Sequence, residues 1–171
     1  MRSTEITRHT LSVLVQDIDG IITRVSGMFT RRGYNLISLV SARTETEGIN
    51  RLTIVVDASD IVIEQATKQL NKIIPVIKVV ELEEDSSVAR AIMLVKVAAD
   101  NYNRPQVVDA VNIFRARVVD VAQESVVVEA TGTPGKLAAL LEVLEPFGIR
   151  ELIQSGHVAL ARGPKAMAPS K

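Results

Sequence analysis

The chain contains no cysteine and no tryptophan. Without thiols there is no disulfide framework, no thiol nucleophile and no cysteine-based metal site, and a reducing, cytoplasmic setting is the expectation. Aromatic residues make up only 3% of the sequence, so the core has to be aliphatic, built of Val, Ile, Leu and Ala. Neither sign of charge is in excess, since 20 basic residues stand against 20 acidic ones. A dedicated nucleic-acid binder draws much of its affinity from neutralised phosphates and normally carries a basic surplus, so nucleic acid is not an expected partner. Long apolar runs are missing as well. Ala91–Val95 is strand-sized, far below the roughly 20 residues of a membrane-crossing helix. The first residues hold Arg2, Glu5, Arg8 and His9 where a signal peptide would be apolar. No membrane partner is expected.

What is present is enough for a real core: 47% hydrophobic residues in 171. Two β-rich halves flank the polar cluster Glu83-Glu84-Asp85-Ser86-Ser87, which reads as a linker. In the first half, Leu11, Val13 and Val15 alternate with polar residues as in a half-buried strand. Gln16–Gly20 is a turn with helix-start chemistry. Ile21, Ile22, Val25, Met28 and Phe29 form one helical stripe, and Gly33 ends that helix. Two strands of a hairpin follow (36–43 and 50–56), then a helix over 61–72 for which Asp60 is the expected cap, then a strand over 76–82. The second half repeats the order: strand 91–97, helix 105–115, strands 117–122 and 125–131, helix 134–145 and strand 149–154, with a further short strand at 158–161. The expected fold class is therefore α+β, as two ferredoxin-like βαββαβ domains. The expected boundaries are an N-terminal extension 1–8, a first domain 9–83, a linker 84–89, a second domain 90–162 and a disordered tail 163–171.

A search for catalysis finds little. His9 and His157 lie at no metal-ligand spacing and read as ordinary strand-edge or surface residues. Ser155-Gly156-His157 lacks the strand–elbow–helix setting of a nucleophilic serine. Gly132-Thr133-Pro134-Gly135-Lys136 lacks the complete phosphate-loop spacing, and Pro134 suits the first turn of a helix. Arg31-Arg32 sits in the last turn of a helix, where cations complement the dipole. No catalytic residue and no metal site are expected.

One segment carries more information: Val13-Leu14-Val15-Gln16-Asp17-Ile18-Asp19-Gly20-Ile21-Ile22, a strand, an acidic loop, a glycine and a helix start. A helix N-terminus presents unpaired N–H groups and a partial positive charge, and Gly20 lets a ligand approach the backbone. The carboxylate of a free amino acid suits such a place. Asp17 is positioned to receive its ammonium, and Ile21 and Ile22 to wall an aliphatic side chain. The competing reading is a plain helix start capped by Asp.

The run Leu11–Gly20, continued by Arg24-Val25-Ser26-Gly27-Met28-Phe29-Thr30-Arg31-Arg32-Gly33-Tyr34-Asn35, resembles the N-terminal ACT domain of the small, regulatory subunit of acetolactate synthase (acetohydroxyacid synthase). Gln69–Val76, Ile92–Val97, Ile113–Val121 and Gly148–Leu160 resemble the same family in the same order, so the similarity runs from about His9 to Arg162. The resemblance implies a chain that is not an enzyme by itself. Its partner would be a catalytic large subunit carrying thiamine diphosphate, magnesium and FAD, active in valine, leucine and isoleucine synthesis; this chain would bind no cofactor. The chain would raise that subunit's activity and confer feedback inhibition by valine. ACT domains pair, implying a homodimer. The effector would lie between them, held by Asp17, Gly20, Ile21 and Ile22 from one domain and by Asn35 from the other. Asp17 and Ile37 depart from the family's frequent Asn and Glu. A stand-alone amino-acid-sensing module is the alternative, and an enzyme with an interface active site is a more distant one.

Overall fold

Leu11, Val13 and Val15 all point to one face of a strand, and the same parity recurs at Leu52, Ile54 and Val56. The computed structural model, which describes residues 4–169, places these six side chains in one buried cluster. They belong to strands β1 (Thr7–Gln16) and β3 (Ile49–Ala58), which pair antiparallel with Leu11 opposite Ile54 and Val13 opposite Leu52. Strand β2 (Asn35–Arg43) lies outside β3 and β4 (Val76–Leu82) outside β1, giving the sheet order β2-β3-β1-β4. Helices α1 (Ile21–Arg31) and α2 (Asp60–Leu70) supply the other half of the cluster, through Ile21, Val25, Met28 and Phe29 and through Ile63, Ala66 and Leu70. This is the expected ferredoxin-like unit. Gly33, at φ 66, turns the chain out of α1 as a glycine after a helix end does. The cap of α2 is Ser59; Asp60 stands one residue inside, where its charge meets the positive end of the helix.

The second unit repeats the order with β5 (Ser87–Ala98), α3 (Arg104–Ile113), β6 (Arg117–Val121), β7 (Ser125–Gly132), α4 (Pro134–Leu144), a single 3-10 turn at Glu145–Phe147, and β8 (Ile149–Gln154). Its sheet order is β6-β7-β5-β8. Met93, Val95, Val97, Val126 and Val128 face Leu137, Leu140 and Leu144 in an aliphatic core of its own.

The units divide differently from the sequence expectation. The second comprises Ala89–Gly156, and the chain from His157 onward returns to the first, with the short strand β9 (Val158–Ala161). Long-range hydrogen bonds hold it there: the Arg162 N–H donates to the Ser86 carbonyl at 2.8 Å and its Nε to the Ser87 carbonyl at 3.1 Å. The expected linker is correspondingly shorter, because β5 begins at Ser87. The expected N-terminal extension is shorter too, since β1 begins at Thr7. Residues 163–169 form no helix or strand, and the last two positions of the expected disordered tail lie outside the described residues.

His157 is half-buried, and its Nε2 has no hydrogen-bond partner. Burial first, and the positive charge of Arg8 second, push its pKa below the usual histidine value. A depressed histidine is neutral when folded, while the unfolded chain takes up a proton below about pH 6.5. Its neutral state thus supports the fold fully above that pH and less as the pH falls below it. His157→Gln should therefore lose less stability than the parent chain between pH 7.5 and pH 5.5, measured by urea unfolding. Equal losses would remove His157 from this account.

Candidate functional site

After Gln16 the chain has four residues in which to turn from β1 into α1. Gly20 completes the turn in the left-handed region, at φ 79 and ψ 4, and stands at the N-cap of α1. The loop is fixed from two sides. The Gln16 N–H donates to the Pro75 carbonyl and the Asp17 N–H to the Gly48 carbonyl, both at 2.9 Å. The Asp17 carboxylate accepts from Asn50 Nδ2 at 2.8 Å, so Asn50 sets its orientation.

The Asp-capped reading of this helix start is not what the structure holds. Among the described residues no side chain accepts a hydrogen bond from the first turn of α1. The Ile21 N–H donates to the Ile18 carbonyl at 3.4 Å, and the N–H groups of Ile22 and Thr23, with the helix dipole, leave a position suited to an anion. A Cβ built on Gly20 meets no atom within 4 Å, so the space in front of that position is free. Two exposed carboxylates, Asp17 and Asp19, lie in the same loop, and Asp17 is the one that Asn50 orients. A donor-rich helix end and a neighbouring carboxylate complement the carboxylate and ammonium of a free amino acid.

The expected site residues separate into three groups. Asp17, Gly20 and Ile22 come together on this loop and helix start, with Ile22 45% exposed. Ile21 does not present its side chain there, being 4% exposed within the core cluster. Ile18, 41% exposed, supplies the second apolar surface of the loop. Asn35 lies elsewhere in the unit. It pairs with Asp57 at one end of β3 while Asn50, the partner of Asp17, is near the other. Seven residue steps along the strand separate those positions, roughly 24 Å at ~3.4 Å each. Within one chain Asn35 therefore cannot share a ligand with Asp17. It does lie on β2, an edge strand whose outer side has no partner in the sheet. Ile37 sits at the register shift of that strand and is 44% exposed.

The turn that leads into the corresponding helix of the second unit is closed by its own residues. The Asp100 carboxylate accepts from the N–H groups of Tyr102 (2.8 Å) and Asn103 (3.0 Å), and Asn103 Oδ1 accepts from the Asp100 N–H. Those backbone donors, Asn103 first, hold the Asp100 carboxyl below the usual carboxylate range. At α3 an internal carboxylate thus closes the turn before the helix, while the helix start itself, like that of α1, carries no side-chain cap.

The remaining sequence features resolve as structural. Thr133 caps α4 by accepting from the Lys136 N–H, and Lys136 Nζ donates to the Thr131 carbonyl. Ser155 Oγ accepts from the Ile92 N–H and donates to the Gly156 carbonyl. His9 is less ordinary than its sequence position suggests. Its side chain is 10% exposed. Nδ1 is hydrogen-bonded to Glu81 at 2.6 Å, and Nε2 to the Ala58 carbonyl at 3.1 Å, which ties β1 to the ends of β3 and β4. Among the described residues no group of three or more His, Asp and Glu side chains is arranged to hold a metal ion, and no helix is long and apolar enough to cross a membrane.

Comparison with known proteins bears on both units. The family model described as "AHAS small subunit-like ACT domain" matches residues 11–78, and that described as "Small subunit of acetolactate synthase" matches residues 90–163. A protein of Mycolicibacterium smegmatis named acetolactate synthase small subunit is 57% identical over 163 residues, covering 95% of this chain and 96% of its own length. A probable acetolactate synthase small subunit of Archaeoglobus fulgidus is 46% identical, covering 92% of this chain and 99% of its own. The crystal structure of the acetolactate synthase small subunit from Thermotoga maritima superposes with a TM-score of 0.86 at 33% identity, covering 94% of this chain and all of that one.

Proposed function

The chain belongs to the acetolactate synthase small-subunit family, and on that premise we propose that it is the valine-responsive regulator of a catalytic large subunit. The reading has the chain raise the activity of that subunit and lower it again when valine accumulates. Thiamine diphosphate, magnesium and FAD reside on the large subunit, and this chain contributes no catalytic group. Two copies pair through their first units. Valine then lies between Asp17, Gly20 and Ile22 of one copy and Asn35 of the other, with its carboxylate on the α1 N–H groups and its side chain beside Ile18 and Ile22. The cytoplasm is the setting.

The observation that carries this reading is the uncapped start of α1. An open anion position, an oriented carboxylate in the same loop and two half-exposed isoleucines complement the three parts of a branched-chain amino acid. The separation of Asn35 from that loop supports a site completed by a second copy. Because valine would favour one pairing geometry over another, its effect on the large subunit is a coupling energy, typically about 1–3 kcal/mol.

The test is acetolactate production by the catalytic subunit of the same cell, with and without this chain, across a valine titration. Higher activity together with new valine inhibition is expected. Activity and valine response that are unchanged by the chain would overturn the reading.

A further inference from the structure

Helices α1 and α2 leave between them a groove of about 450 Å³. Its walls carry Arg24, Arg31, Arg32 and Lys72, and its floor Met28 and Ile73. All four cations are exposed, and among the described residues none has a carboxylate within ion-pair distance. Elsewhere in the same unit Arg8 is paired with Asp57 and Lys68 with Glu64, so acidic partners are available to the fold but are not placed here.

Dipole compensation accounts for part of this cluster only. Arg31 and Arg32 lie at the C-terminal end of α1, where a cation is favourable. Arg24 lies in the first turn and a half of the same helix, toward the end that favours anions. Gly27 adds a second sign of arrangement. A glycine inside a helix costs roughly 1 kcal/mol relative to alanine. A Cβ built on Gly27 would come within 3.3 Å of Arg31 Nη1, so the missing side chain gives room for that guanidinium to fold back along the helix toward Arg24.

We propose that this groove docks an acidic segment of the catalytic large subunit, with the four cations as its anchors. The inference rests on the regulatory reading above. Charge complementarity identifies the occupant as anionic, and three arginines suit carboxylates that bind in a bidentate manner. Shape favours a protein segment over a small anion. The groove is open, Met28 offers almost no exposed surface, and its walls are helix flanks whose N–H groups are spent within the helices. From Arg24 to Arg31 the helix rises about 10 Å, which matches carboxylates spread over two turns of a partner helix. Because all four cations are exposed to solvent, their share of the contact weakens with salt.

The test uses the full chain and the catalytic subunit from the same cell, with affinity measured by sedimentation at low and high salt. The parent chain should bind and should lose at least about tenfold in affinity at high salt. Reversing two charges, as Arg31→Glu with Arg32→Glu, should weaken binding by about 100-fold or more and remove the stimulation of activity. Valine binding by the isolated variant should stay near that of the parent and its melting temperature should fall only by the loss of two helix-end cations, while Arg31→Lys with Arg32→Lys should restore part of the affinity, the charge without the bidentate geometry. A parent chain that does not bind the catalytic subunit would bring down the regulatory reading and the groove with it. Unchanged affinity in the charge-reversed variant, beside a parent that binds, would overturn the groove alone. Loss of tripolyphosphate binding to the isolated variant, with unaltered affinity for the catalytic subunit, would also overturn it, by showing that the groove serves a small polyanion.

Discussion

Replacing Gly20 by aspartate is expected to abolish inhibition by valine while the stimulation of the catalytic subunit survives. Gly20 sits at φ 79, where a side chain costs roughly 1–2 kcal/mol, a tolerable part of a stability of order 5–15 kcal/mol. A Cβ there meets nothing within 4 Å, so the fold need not shift to admit it. The consequence is chemical. The introduced carboxylate stands beside the uncapped N–H groups of α1 and competes for the position proposed for the carboxylate of valine. The valine response should fall by the whole coupling, a factor of about 5–150. Gly20→Ala carries a similar backbone cost without the charge and should keep part of the inhibition. Acetolactate production across a valine titration, with each variant added to the catalytic subunit, distinguishes the two. Parent-like valine sensitivity in the aspartate variant would show that valine does not bind at this helix start.

Most of this architecture is legible in the sequence because it rests on local periodicity. The alternation at Leu11, Val13 and Val15 and the stripe at Ile21, Ile22, Val25, Met28 and Phe29 already say which faces are inside, and the structure buries all of them except Ile22. The stripe also held the signal that Ile21 is a core residue. Ile22, one position on, is turned about a quarter of the way round the helix and stays exposed. What periodicity does not carry is contact between distant segments. Asn50 orients Asp17 across 33 positions, and Glu81 meets His9 across 72. The return of residues from His157 onward to the first unit depends on Arg162 reaching Ser86 and Ser87. The cationic groove has the same origin, since Lys72 joins the α1 arginines only when α2 packs beside α1. Arg31-Arg32 alone gives no sign of it.

Truncating Phe29 to alanine should be the most damaging single change to the first unit. Its side chain is fully buried among Val25, Met28 and the inward residues of β1 and β3, and its ring meets that of Tyr34 edge-on, with centroids 6.0 Å apart. Deleting a buried Phe side chain costs about 3–5 kcal/mol, through lost transfer energy and the cavity left behind. In a chain with two cores that loss need not be shared. The second unit has its own cluster of Met93, Val95, Val126, Leu137 and Leu140, to which Phe29 does not belong. The expected outcome is two unfolding steps, the first moved to much lower denaturant and the second little changed, rather than one displaced transition. Amide hydrogen exchange can assign them: protection should drop along β1 and β3 and persist along β7. Because α1 is held onto the sheet by Ile21, Val25, Met28 and Phe29, its first turn should lose its fixed position before the second unit is touched. Valine binding should then fall together with the first step. A variant that keeps parent-like exchange in β1 and β3, or loses protection equally in β7, would show that the two cores do not unfold as separate units.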